Sequence, residues 1–124
     1  MTKYLILILL FLAPNVWADW KPVVVSSTGN FFAIDPSAIR KDGVRRTFWV
    51  MTNYSKTLPD GANSARVKYE INCQKEIITL MHITFFSNPM LLGEIVGNVS
   101  PEPEADPIAP GSVNDRLKEF VCAR

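Results

Sequence analysis

The pair Cys73 and Cys122 constrains this chain more than any other feature, because these two cysteines stand in a sequence that opens like an exported protein. Lys3 precedes an apolar run from Tyr4 to Ala13, Pro14 closes it, and Val16-Trp17-Ala18 supplies an A-x-A-like end. A bilayer span takes about 20 apolar residues, so this run is too short to stay as a membrane anchor. A positive start, an apolar core and a small-residue end predict a cleaved secretory signal peptide over residues 1–18. Outside the reducing cytoplasm, two cysteines read most simply as one disulfide; two separate buried thiols are the alternative. Closing a loop of about 50 residues contributes roughly 4 kcal/mol in the chain-entropy account. That is a large share of the roughly 5–15 kcal/mol by which a domain is stable. No cysteine stands at the cleavage site, so a lipid-anchored mature end is not expected.

What remains, residues 19–124, is enough for one domain. The whole chain carries 13 Lys and Arg against 12 Asp and Glu, and the lost segment takes only Lys3. A near-neutral mature chain lacks the basic excess that nucleic-acid binding requires, so no nucleic-acid partner is expected. Two cysteines and one histidine at no ligand-like spacing do not make a zinc site, and no cofactor is expected.

Along the mature chain, Trp20 to Ser26 is valine-rich and predicts a strand, with Pro22 near its start, where an edge strand tolerates a missing donor. Ser27-Thr28-Gly29-Asn30 is turn chemistry, and Phe31 to Ile34 returns as a second strand. Asp35-Pro36-Ser37 predicts a cap and a brief helical turn, ended by Asp42-Gly43. Val44 to Thr52 is a third strand whose inner face the pattern leaves open. Ala65, Val67, Tyr69, Ile71 and Cys73 alternate with Arg66, Lys68, Glu70 and Asn72, the signature of a half-buried antiparallel strand. Glu76 to Phe86 is apolar on both faces, which predicts a strand covered on both sides, and Pro89 to Val96 gives a sixth, shorter strand. Ser100 to Pro110 holds Pro101, Pro103, Pro107 and Pro110 and predicts an extended surface loop. Ser112 then caps a helix, with Asp115 completing a capping-box-like start and Val113, Leu117, Phe120 and Val121 on one face. The expected fold is α+β: an antiparallel sheet of about six strands, one C-terminal helix packed on it, and a disulfide tying the helix to the alternating strand.

Catalytic chemistry finds little to work with. His82 lies within a strand between Met81 and Ile83, no Gly-x-Ser-x-Gly elbow occurs, and the glycines are scattered singly. Glu102, Glu104 and Asp106 are spaced through prolines and read as a solvated acidic loop. Arg40, Lys41, Arg45 and Arg46 flank the Asp42-Gly43 turn and are the candidate basic patch for an acidic partner.

The ordered set of motifs resembles the surface-adhesin protein E-like domain of Gram-negative bacteria. The resemblance runs from Trp20 through Ile34-Asp35, Ser37 and Ile39, then Trp49 and Ser64. It continues through Glu70-Ile71-Asn72-Cys73, Pro107 to Ser112, and Val121-Cys122. It implies an antiparallel sheet with a disulfide-tied C-terminal helix, in a family whose best-known members are outer-membrane adhesins for host extracellular matrix. The matched residues are structural and carry no ligand site. The expected function is thus a non-enzymatic envelope binding module for a protein or glycan partner, periplasmic, secreted or on the cell surface. The alternative is a soluble periplasmic small-ligand-binding or envelope-stress protein with a pocket between sheet and helix. Homo-oligomerisation is compatible with both.

Overall fold

The computed structural model describes residues 18–124, so the expected signal peptide lies, apart from Ala18, outside the described residues. Strands β1 (Lys21–Val25), β2 (Phe31–Ile34), β3 (Arg40–Asp42), β4 (Arg45–Asn53), β5 (Ser64–Asn72), β6 (Ile77–Phe86), β7 (Ile95–Val99) and β8 (Ala105–Pro107) precede one helix, α1 (Val113–Cys122). All pairings are antiparallel, and the continuous path β1-β2-β4-β5-β6-β7 is the six-strand sheet the sequence predicts.

The short strands β3 and β8 lie off that path, one beside β4 and the other beside β6. Arg40 to Asp42 is expected to end a helical turn; the turn is complete by Ala38, and Gly43, at φ 58°, folds these residues back on Arg45–Thr47 as a tight hairpin. The Pro-rich segment is not wholly irregular either. Ala105 to Pro107 pairs with Ile77 to Thr79, with Pro107 at the strand end, where a missing donor is tolerated. The sixth strand starts later than Pro89. Pro89 to Leu91 forms a 3-10 turn in which Met90 donates its N–H to Asn53 Oδ1 at 2.8 Å and Leu91 to Ser64 Oγ at 2.9 Å. Those acceptors are distant in sequence, so no local pattern announces the turn.

Parity sorts the two faces. Arg46, Phe48 and Val50 of β4 pair with Ile71, Tyr69 and Val67 of β5, and this face carries the core with Ile34, Ala65 and Ile78. On β6 the alternation slips, because Lys68 pairs with His82 while Tyr69 pairs with Leu80, leaving Met81 bulged. Ile78 and Leu80 before the bulge therefore share the core face with Ile83 and Phe85 after it. This is why the strand reads as apolar on both sides although only one face is covered.

Helix α1 covers that face. Ser112 Oγ accepts from the Asp115 N–H at 3.1 Å, and the Gly111 N–H donates to Asp115 Oδ2 at 2.8 Å. The Gly111 bond, supported by Lys118, holds the Asp115 carboxyl below its ordinary value. Leu117 and Val121 are buried in the core cluster, with Val113 and Phe120 packed beside them. Cys122, the last helical residue, is bonded to Cys73, just beyond β5, with Cα atoms 5.9 Å apart. Lys118 Nζ donates to Glu76 Oε1 at 2.7 Å, a second tie between the helix and the β5–β6 turn.

Cys122→Ser is expected to lower stability by about 4 kcal/mol, since it frees a loop of roughly 50 residues in the unfolded chain. In thermal melts this should appear as a fall in Tm on the order of 15 °C. Equal melting of the parent with and without reductant would show that the bond contributes nothing.

Candidate functional site

The face opposite α1 presents Arg45, Thr47, Trp49 and Met51 from β4 and Arg66, Lys68 and Glu70 from β5. Its two ends differ. Around Met51 and Ser64 the 3-10 turn at Pro89–Leu91 lies over the sheet, and both residues are buried. Towards the other end the face is open.

Across its middle runs the row Trp49, Lys68, His82, consecutive cross-strand partners on β4, β5 and β6. Both flanking edges break at this level. β2 pairs with Val50–Asn53 and β3 with Arg45–Thr47, so Phe48 and Trp49 fall between them; β8 and β7 leave the same gap beside Leu80 to His82. The result is a concavity of 460 Å³ lined by Ala38, Arg40, Thr47, Trp49, Lys68 and Met81. A second depression of 360 Å³ adjoins it across Met81, lined by Glu70, Thr79 and Pro103.

Cations surround the indole. The Arg66 guanidinium lies 4.6 Å and the Lys68 ammonium 5.7 Å from the Trp49 ring centroid, and His82 meets the ring edge-on at 6.5 Å. Arg40 and Arg45 share this face through their pairing with Thr47 and Asp42. Against these four cations stand Asp42 and Glu70, the latter 4.0 Å from Arg45 Nε in an exposed pair of little energetic weight. The local balance is positive although the chain as a whole is nearly neutral.

The sequence-derived patch thus divides. Arg40 and Arg45 belong to the open face, whereas Lys41 and Arg46 point to the other. Arg46 must be withdrawn from any accessible patch. It is 6% exposed, its Nη1 donates to the Gly43 and Arg45 carbonyls at 2.8 and 3.1 Å, and its Nη2 donates to Arg124 O at 3.3 Å. The reason is parity: Arg46 shares its face with Phe48 and Val50, beneath the helix end. Trp49, Arg66, Lys68 and Met81 complete the open face, though no local pattern in the sequence marks them as site residues. The signal lay in pairing, since Trp49 opposite Lys68 emerges only when β4 and β5 are set in register.

His82 holds Ser100 Oγ at 2.6 Å from Nδ1 and Thr84 Oγ1 at 3.2 Å from Nε2. A hydroxyl therefore stands where a catalytic triad would place a carboxylate, and the imidazole bridges β6 to the end of β7. The bulge also changes its companions: His82 shares its face with Thr84, not with Ile78 and Leu80. Glu102, Glu104 and Asp106 are exposed along their loop beside Leu80. Among the described residues no group of three or more His, Cys, Asp or Glu is placed to hold a metal ion, and no helix is long and apolar enough to cross a membrane.

The sequence profile described as surface-adhesin protein E matches residues 20–123. The chain belongs to this family. Among solved structures, crystal form II of Haemophilus influenzae protein E superposes with a TM-score of 0.67 at 21% identity, over 90% of this chain and 94% of that one. The selenomethionine form of the same protein gives 0.65 at 21% identity, over 90% and 93%. Protein E from the non-typeable bacterium gives 0.61 at 20%, over 90% and 82%. No curated protein matches by sequence. At these identities the structures show the shared fold. Membership of the protein E family points to an adhesin-like, non-enzymatic binding role.

Arg46→Ala is expected to cost about 2 kcal/mol, because it removes a buried side chain together with its hydrogen bonds to the Gly43, Arg45 and Arg124 carbonyls. Arg45→Ala should stay within about 0.5 kcal/mol. Urea denaturation of the two variants measures both; equal effects would contradict the division of the patch.

Proposed function

We propose that this member of the protein E family is an exported, non-enzymatic binding module that docks an acidic protein or glycan on its open sheet face. The observation that carries the reading is the cationic ring around Trp49, set over a concavity where both flanking sheet edges are interrupted. A concavity in which Trp49 and Met81 stand beside the convergent polar groups of Arg40, Thr47 and Lys68 is a natural candidate for a binding site. Positive local potential favours encounter with an anionic partner.

Export is supported by the apolar N-terminal run and by the disulfide, which persists in oxidising compartments. The domain proper is residues 19–124, behind a cleaved signal peptide. The location is periplasmic, secreted or at the cell surface of a Gram-negative bacterium, with host or matrix molecules as partners in the surface case. A carrier pocket between sheet and helix is less favoured, because Leu117, Val121, Phe48 and Ile71 are packed there at 1% exposure or less.

Pull-down from solubilised envelope and extracellular-matrix preparations tests the reading. Charge reversal of Arg40 and Lys68 together should weaken capture roughly tenfold, about 1.4 kcal/mol, and raised salt should act in the same direction. Lys41→Glu, on the opposite face, should leave capture unchanged. Capture that ignores the first pair and follows Lys41 would overturn the open-face reading.

A further inference from the structure

We infer that the open face is built for an acidic glycan, a chain of pyranose rings bearing uronic-acid carboxylates, held at Trp49 and Met81. This rests on the open-face reading above and names its ligand class. The site lies in the middle of the sheet, on β4, β5 and β6, which pair with one another throughout the site and lack an outer partner strand only over the short gaps at Phe48–Trp49 and Leu80–His82. An extended peptide gains its affinity from free main-chain groups at a sheet edge. Gaps this short give a peptide strand little to pair along, so recognition here falls mainly to side chains.

Those side chains have the chemistry of sugar binding. Trp49 is half-buried and fixed by its cation partners, so its flat apolar surface is presented with little ordering cost. Arg66 and Lys68 both approach the ring from β5, while Thr47, Ala38 and Arg40 continue the concavity's lining past Trp49 on the β3 side, where the indole adjoins the open space. An aromatic plane of this kind suits the axial C–H face of a pyranose. Met81, 36% exposed on its bulge, extends the apolar floor to the second depression. Two adjoining depressions sharing one floor residue suit consecutive rings of a linear chain.

Around this floor the polar groups are graded. Arg40 and Lys68 line the first depression, where a ring carboxylate would meet a planar guanidinium and an ammonium. Thr47 lines it too, a hydroxyl for a neutral ring oxygen or hydroxyl. Glu70 and Thr79 line the second, which suits the hydroxyls of an uncharged neighbouring sugar. A polymer alternating acidic and neutral rings matches that order.

The test is titration of the purified mature protein with a hyaluronan hexasaccharide, followed by heteronuclear NMR. A neutral N-acetylglucosamine hexasaccharide and a polyglutamate peptide serve as the other arms. The expected result is binding of the hyaluronan probe, with shifts centred on Trp49, Lys68 and Met81, and markedly weaker binding of the neutral chain. Trp49→Ala and Arg40→Glu should each weaken it roughly tenfold or more, whereas Lys41→Glu should not. Thermal melts confirm that the variants fold, and Trp49→Phe, which keeps an aromatic plane, should recover part of the affinity. Polyglutamate binding at the same face without dependence on Trp49 would overturn the glycan assignment while leaving the open-face reading intact. Binding of none of the three probes, with capture of an envelope or matrix partner still dependent on Arg40 and Lys68, would also overturn it. Loss of that dependence would remove the open-face reading itself.

Discussion

The bond from Cys73 to Cys122 locks the helix onto the side of the sheet that the apolar alternation of β4 and β5 marks as interior. It fixes the end of α1 to the end of β5, so Leu117 and Val121 can descend only onto Phe48, Val50 and Ile71. A sheet with one apolar face needs such a cover, and a domain of this size has little core to spare. The Lys118–Glu76 contact repeats the tie a turn away, but it is exposed enough that the covalent bond governs. Once one face is closed in this way, the described residues place no α-helix over the other, and only the 3-10 turn at Pro89–Leu91 lies on one end of it. Its side chains are then answerable to solvent or to a partner.

What distinguishes that second face is where the sheet is interrupted. The two outer edges of the β4–β5–β6 core are each shared by two partner strands, and on both sides the joint falls at the Trp49–Lys68–His82 row. The Met81 bulge falls at the same level. Bulges bend a strand and re-aim its side chains, and here the bulge adds Met81 to a face where Trp49 stands among polar side chains. A depression with an apolar floor and cationic rim follows from strand pairing, without any dedicated loop.

Much of this was legible in the residues. Alternation from Ala65 to Cys73 gave the core strand, and Asp35-Pro36 and Ser112 with Asp115 gave both capped turns, because each signal is local. The missing parts depend on partners far along the chain. Arg46 looks like a surface cation until its pairing opposite Ile71 puts it under the helix end. The two-sided apolar pattern of Glu76 to Phe86 hides a bulge that only register reveals. The turn at Pro89–Leu91 is held by Asn53 and Ser64, and the strand Ala105–Pro107 by the start of β6. Trp49 was visible as a residue but not as a site, since its cations come from the neighbouring strand.

On the proposed reading, the helix-covered face is structural and the open face is where partners bind. The most direct measurement is hydrogen–deuterium exchange of the disulfide-bonded protein with and without a captured envelope or matrix partner. The account predicts new protection concentrated in the middle of β4 to β6 and in the Arg40–Asp42 hairpin, with α1 unchanged. Protection centred on α1 and β1, with the Trp49 row exchanging as before, would contradict it.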